Sequence, residues 1–132
     1  MKLWQKDKAS LQEVERFTVG NDREMDLYLA AFDILGSLAH IQMLQSIGLI
    51  GRQELPRLQT ELKNIYQDIA DGKFRLQDDV EDIHSQVELL LTQRLGDMGK
   101  KIHSARSRND QVLVDIKLFL RNELEELVTA IQ

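Results

Sequence analysis

The chain has 132 residues, of which 42% are hydrophobic and 30% are charged, and its formal net charge at pH 7 is −5. This composition is typical of a globular protein and excludes a disordered chain, while the acidic balance argues against a general binder of nucleic acid or anionic membranes. No cysteine is present, which excludes disulfides, thiolate metal ligands and cysteine nucleophiles. Neither a signal peptide nor an apolar stretch of membrane-spanning length is apparent, so we expect a cytoplasmic protein.

Apolar residues at three- and four-residue steps, with a single proline, predict an all-α fold. The first helix is predicted to follow Asn21 or Asp22 as its cap and to stop at Gly48. Its apolar stripe comprises Met25, Tyr28, Phe32, Leu35, Ala39 and Met43.

A second helix is predicted from about Arg52 to Ala70, with Pro56 near its start, where a missing N–H costs least. Asp71–Gly72 is a turn signal that ends it. The stripe of this helix comprises Leu55, Leu58, Leu62, Ile65 and Ile69.

A third helix is predicted to begin near Asp78, because Asp78 and Glu81 have the spacing of a capping box. It ends at Gly96, and an irregular loop follows from Asp97 to Arg108. The residues predicted to face inward are Ile83, Val87, Leu90 and Leu91.

The fourth helix is predicted to begin at Asn109 or Asp110, and its apolar stripe is still running at Gln132. We therefore expect a fragment of a longer protein. The stripe comprises Val112, Ile116, Phe119, Leu120, Leu124, Leu127 and Ile131.

The segment HSARSRND combines donor side chains with the start of a helix, which suits an anion. Arg106 and Arg108 offer forked donors for a carboxylate, Ser104 and Ser107 add hydroxyls, and a helix N-terminus favours negative charge. The amide of Asn109 both donates and accepts. Two alternatives remain: a solvated connector in which Asn109 or Asp110 only caps the helix, or an RNA-binding loop, which the absence of an interleaved aromatic disfavours.

The segment DDVEDIH is the second candidate. On a helix, Glu81 and His84 are neighbours three residues apart, and Glu88 lies four residues beyond His84, so carboxylates would raise the pKa of the imidazole. The alternative is a capped acidic helix start with a surface histidine. No metal site is predicted, because His40, His84 and His103 lie far apart in sequence.

Together these segments resemble the N-terminal part of the argininosuccinate lyase family. GKKIHSARSRNDQV resembles the family's His-Thr-Gly-Arg-Ser-Arg-Asn-Asp-Gln-Val, and EDIHSQVE resembles its Glu-Asp-Ile-His segment. KLWQK, VERFTVGNDREMD and FDILGSLAHIQML resemble its N-terminal stretch and first helix.

The resemblance implies a member of the fumarase/aspartase superfamily: a homotetramer, without cofactor or metal, that splits argininosuccinate into arginine and fumarate by β-elimination. It also implies an N-terminal helical domain at residues 1–108 and the truncated start of a central helical bundle at residues 109–132. Arg108 and Asn109 are then expected to contact the substrate, and Arg106 and Ser107 to shape the loop. Supporting roles are expected for Asp82, His84 and His103. No catalytic residue is expected in this chain, since the family's serine loop lies beyond Gln132, and the chain alone should be inactive.

The chain departs from the family pattern at Ser104-Ala105, which replaces Thr-Gly and loses glycine's freedom at positive φ. A family serine that contacts substrate has no match around Gly20–Asp22. A sister lyase that releases fumarate and a non-catalytic structural use of the same fold remain as alternatives.

Overall fold

The computed structural model describes residues 12–132, so KLWQK, which carries part of the family resemblance, lies outside the described residues. The described part is all-α, as predicted, and contains no strand. Its α-helices are α1 (Gln12–Val19), α2 (Asp22–Asp26), α3 (Ala30–Ser46), α4 (Glu54–Ala70), α5 (Ile83–Leu95), α6 (Asp97–Lys100) and α7 (Arg108–Ile131), with 3-10 turns at Leu27–Leu29 and Lys101–His103.

The core lies where α3 packs against α4 and α7, with α5 and α6 completing it. Helix α4 contributes the face that the periodicity predicts, because Leu58, Leu62 and Ile65 are fully buried. The inward face predicted for α5 is also confirmed, since Ile83, Val87 and Leu91 are buried and Leu90 packs partly against them. Helix α4 has one apolar face and one polar face, which makes its periodicity informative.

The stripe predicted on the first helix is not its buried face. Met25, Tyr28, Leu35 and Met43 are exposed. The buried residues of α3 instead include Ala30, Asp33, Ile34, Ser37, Ile41 and Leu44. Helix α3 is apolar on nearly all sides, so two stripes compete, and contact with α4 and α7 decides which of them is covered.

Two predicted helix ends are confirmed with their capping geometry. After α3, the N–H of Gly48 donates to the carbonyl of Gln45 (3.1 Å), and that of Leu49 donates to the carbonyl of Leu44 (2.9 Å). Gly48 has φ +83° there, as this C-terminal motif requires. Gly96 ends α5 at φ 65°.

The predicted start of the third helix and the predicted loop after it are wrong. Helix α5 begins at Ile83 rather than near Asp78, and Asp82 caps it by accepting from the N–H of Ser85 (2.8 Å). The predicted loop at 97–108 is largely helical up to His103, leaving only Ser104–Ser107 irregular before α7. Tertiary contacts select the cap, since the guanidinium of Arg23 binds three carbonyls of the preceding turn, at Gln77, Asp78 and Val80.

By length and composition, Asp22–Ser46 could cross a membrane, so the expectation that no stretch reaches that length is wrong. Core helices pass the same test, and in this fold the stretch buries Asp33 and Ser37 against other helices. The finding does not indicate a membrane protein.

Candidate functional site

Residues Ser104–Arg108, named here the arginine loop, are fixed by side chains of the core. The Nε2–H of His40 donates to the carbonyl of Ser104 at 2.8 Å, and Nη2 of Arg106 donates to the hydroxyl of Ser37 at 3.1 Å. Both anchoring residues belong to α3. The loop is therefore tied to the fold at separate points rather than solvated, and its binding of an anion stays a prediction.

Arg108 extends the anchoring to α5. Its Nη1 forms an ion pair with Oδ1 of Asp82, and its Nη2 donates to the hydroxyl of Ser85 at 3.3 Å. Burial opposes the charge of Asp82, but the N–H of Ser85 and the Arg108 guanidinium outweigh it and lower the pKa of that carboxyl. Two of the five N–H donors of Arg108 are thus engaged within the chain.

Ser107 caps α7, so the expectation that Asn109 or Asp110 would do so is wrong. The Ser107 hydroxyl accepts from the N–H of Asp110 (3.3 Å), and the Asp110 carboxylate accepts from the N–H of Ser107 (2.9 Å). This reciprocal capping box leaves Asn109 at the second position of the helix, exposed and with no side-chain hydrogen bond to the part of the chain that the structure describes.

An acidic cavity of about 210 Å³ lies next to the Asp82–Arg108 ion pair. Asp26 in its wall accepts from the N–H of Ile83 at 2.8 Å. Burial raises the pKa of Asp26, and this hydrogen bond opposes the rise. The cavity is lined by Thr18, Val19, Asp22, Asp26, Glu81 and Asp82.

Behind the loop lies a buried polar cluster of Asp33, His84, Arg106, Gln111 and Asp115. The Nδ1–H of His84 donates to Oδ1 of Asp33 at 2.9 Å, and Nδ1 lies 3.7 Å from Oδ2 of Asp115. Nε2 of Gln111 donates to the same Asp33 oxygen at 2.9 Å. The alternative of a surface His84 is wrong, since only 4% of that residue is exposed.

Burial and neighbouring charges together set the pKa values in the buried polar cluster. Desolvation lowers the pKa of His84, but the carboxylates of Asp33, Asp82 and Asp115 outweigh it, and the net pKa is raised. The predicted partners, Glu81 and Glu88, are not among these carboxylates, and Glu81 precedes the helix. Burial and the neighbouring Asp33 raise the pKa of Asp115 to about 8.

Asp33, His84 and Asp115 place ligand atoms within 4.8 Å of one another, a distance that could hold a metal ion. The carboxylates already face positive charge, because the guanidinium of Arg106 interacts with both of them and His84 bonds to Asp33. A divalent cation would be repelled by these groups. We therefore assign no metal to the cluster.

The lysines of the segment GKKIHSARSRNDQV pair with acids outside the arginine loop. Lys100 pairs with Asp97 at 2.9 Å, and Lys101 pairs with Glu54 at 2.7 Å. His103 is exposed at the end of a 3-10 turn.

Sequence reasoning found the arginine loop, Asp82 and His84 but missed Asp26, Asp33 and Asp115. One signal was available for Asp33, which shares a helix face with Ala30 and Ile34; an acid among apolar neighbours indicates a buried partner. Its partners lie 51 and 78 residues away, so no local pattern identifies them.

The chain belongs to a family of lyases. A family profile described as "Lyase" matches residues 3–132. Among curated proteins, the argininosuccinate lyase of Bacteroides fragilis is 60% identical over 131 residues, which cover 99% of this chain and 29% of that protein. The argininosuccinate lyase of Phocaeicola vulgatus is 61% identical with the same coverage, and that of Thermotoga neapolitana is 40% identical over 96% of this chain and 32% of its own length. The chain thus spans about a third of the length of these relatives or less.

Proposed function

We propose that the chain is the N-terminal part of an argininosuccinate lyase, which splits argininosuccinate into arginine and fumarate in arginine biosynthesis. The observation that carries the proposal is Asn109, which presents an uncommitted amide at the start of a 24-residue helix. The backbone N–H groups of Arg108 and Asn109 have no acceptor within the helix, so they and the helix dipole favour a carboxylate there.

The two polar regions beside the loop match the two ends of the substrate. Arg108 and Asn109 bind a carboxylate of the succinyl group, and Ser107 and Arg106 shape the loop around it. The acidic cavity beside Arg108 suits the positive charge of the arginine moiety. Asp82 joins the two regions, because it pairs with Arg108 and lines the cavity.

During elimination, a proton leaves the carbon next to a carboxylate and negative charge develops on that group. Donors fixed before the reaction stabilise this charge without reorganising, which lowers the barrier. Asp82 and His84 support the site by holding Arg108 and the helices behind it, with His103 at the loop's edge. The serine loop that completes the reaction is not part of this chain.

Assembly follows from the exposed apolar residues. Ile116, Leu120 and Leu124 of α7 are exposed, and a helix with such a stripe is stable in a bundle with partners. We propose that the complete enzyme is a cytoplasmic homotetramer whose central bundle includes α7. Neither a cofactor nor a metal enters the proposed reaction.

A chimera tests the proposal. This chain replaces the matching 131 residues of the Bacteroides fragilis enzyme, and fumarate release from argininosuccinate is followed by absorbance. We expect the chimera to be active, the chain alone to be inactive, and Asn109→Ala to impair the chimera.

Asn122→Ala is the matched control, because Asn122 is exposed further along α7. A folded, tetrameric chimera that releases no fumarate would contradict the proposal and favour a structural role. Activity only on another succinyl substrate would assign the chain to a sister lyase.

A further inference from the structure

Asp33 and Asp115 place carboxyl oxygens within 4.8 Å of each other inside the core. They are 0% and 1% exposed, and each leaves its Oδ2 without a hydrogen-bond partner within the described residues. Two ionised carboxylates cannot bond to each other, because neither carries a hydrogen, and their charges repel. A single proton removes both problems, since it supplies the missing donor and one negative charge disappears.

The surroundings decide which group holds this proton. Asp33 accepts from the Nδ1–H of His84 and from Nε2 of Gln111, both at 2.9 Å, so its ionised form is stabilised by two donors. Asp115 receives no such donor within the described residues, and Nδ1 of His84, which lies 3.7 Å from it, is already bonded to Asp33. The proton therefore belongs on Asp115, which donates to Asp33.

We propose that Asp115 is a positioning residue of the arginine loop: it remains protonated, donates its proton to Asp33, and the singly charged pair seats Arg106 and the start of α7. Asp115 lies on α7 two turns beyond Arg108, whereas Asp33 lies on α3 with Ser37, the residue that binds Arg106. The carboxyl pair thus connects the helix that begins at the loop with the helix that anchors it.

Charged groups on the elements packed around Asp33 and Asp115 affect the ionisation of Asp115. Arg106 and His84 favour ionisation of Asp115, whereas burial and Asp33 oppose it more strongly and raise the pKa of Asp115 to about 8. The other charged groups that act on Arg106 and His84 are Asp82, Glu88 and Arg108.

A carboxyl titration on the 132-residue chain tests the shared proton without any assay of activity. The ¹³C signals of the aspartate carboxyl carbons are followed by NMR against pH. We expect one signal to titrate near pH 8 in the wild type and to vanish in Asp115→Asn. Asp26→Asn is the matched control, because the pKa of Asp26 is also raised by burial, and it must leave the signal in place.

If every aspartate carbon of the folded wild type titrates below about pH 6, within the usual scatter of this residue, the proposal is overturned. This result needs no variant to fold. A signal near pH 8 that survives Asp115→Asn would also overturn the assignment.

Stability gives a second readout. Folding raises the pKa of Asp115 to about 8. The stabilisation that this group gives the folded state is therefore fully present below the pKa that it has in the unfolded chain. This stabilisation is lost as the pH rises towards the folded value. Asp115→Asn imitates the protonated group and has no such loss. The unfolding constant of the wild type should therefore rise about tenfold per pH unit relative to that of Asp115→Asn between about pH 5 and about pH 7, and parallel curves would contradict the idea.

Positioning is tested in the chimera, where the argument rests on the proposed function. Asp115→Asn should retain kcat/KM within about threefold at neutral pH, whereas Asp115→Leu, which lacks a donor, should lose about tenfold or more. Equal losses in both variants would show that the donor does not matter. An inactive chimera would refute the proposed function alone, because the carboxyl titration would stand.

Discussion

Replacing Ala105 by glycine should stabilise the protein, although the change removes a methyl group. Ala105 has φ 57°, and no other non-glycine residue in the described part of the chain has a positive φ. The left-handed conformation costs a residue with a Cβ roughly 1–2 kcal/mol. Its side chain is exposed, so little packing is lost on substitution. The family pattern that the sequence resembles has glycine here.

This gain in the free energy of unfolding is partly offset, because glycine also gives the unfolded chain more conformational freedom. That effect destabilises the folded protein by about 0.4–1 kcal/mol. A net stabilisation of about 0.5–1 kcal/mol follows, and a domain of this size should then melt about 2–4 °C higher. Urea unfolding and thermal melting, both followed by circular dichroism, measure the change.

The matched control is Ala39→Gly, which makes the same chemical change at an exposed position inside α3. There glycine should destabilise by about 1 kcal/mol, because the helical conformation suits alanine better. The two substitutions should thus have opposite signs. A destabilisation of equal size at both positions would refute the claim that the loop backbone at Ala105 is strained.

Other predictions concern packing, binding and assembly. Gly99→Ala should destabilise the chain by about 1–3 kcal/mol in urea unfolding, because a Cβ there would lie 2.4 Å from the backbone of Leu91; a neutral effect would mean that α6 does not pack so closely on α5. In the chimera, Arg108→Lys should lower kcat/KM by about ten- to a hundredfold, nearly as much as Arg108→Ala, since lysine loses the fork. Asn109→Asp should impair it more than Asn109→Ala by setting a negative charge against a carboxylate, and near-normal steady-state kinetics in either charged variant would place the carboxylate elsewhere. The 132-residue chain should self-associate through α7, and the Leu124→Glu variant should be a monomer. A monomeric mass of the wild type in sedimentation at high concentration would contradict this.

The elements of the fold could be predicted from sequence where one face of a helix is apolar and the other polar. Helix α4 meets this condition, and its predicted stripe is buried. Helix α3 does not, because its apolar residues surround the helix, and the pattern could not distinguish the face that meets the core from the exposed face carrying Leu35 and Met43. Which face of α3 is buried depends on the helices that pack against it, and those helices are encoded far away in the sequence.

The site was predictable to a similar extent. The arginine loop is visible because its donors are contiguous, but sequence alone could not assign them to a ligand or to the protein. Arg106 and Arg108 looked equivalent as forked donors, whereas the fold turns Arg106 inward to Ser37 and pairs Arg108 with Asp82. Polar and acidic residues at distant positions in the sequence therefore decide how the two arginines are used.

Adjacent residues at the start of α7 show how stability and binding are divided. The hydroxyl and backbone N–H of Ser107 are both committed to Asp110, so removing the hydroxyl would cost about 1 kcal/mol of helix capping. Asn109 lies between these capping partners, yet it is exposed and its side chain makes no hydrogen bond to the described part of the chain, so its amide adds little to folding. A polar side chain whose backbone is held in a helix and which its neighbours do not use is available to bind an external ligand. This is the physical reason why we propose that a carboxylate binds at Asn109 rather than at the serine beside it.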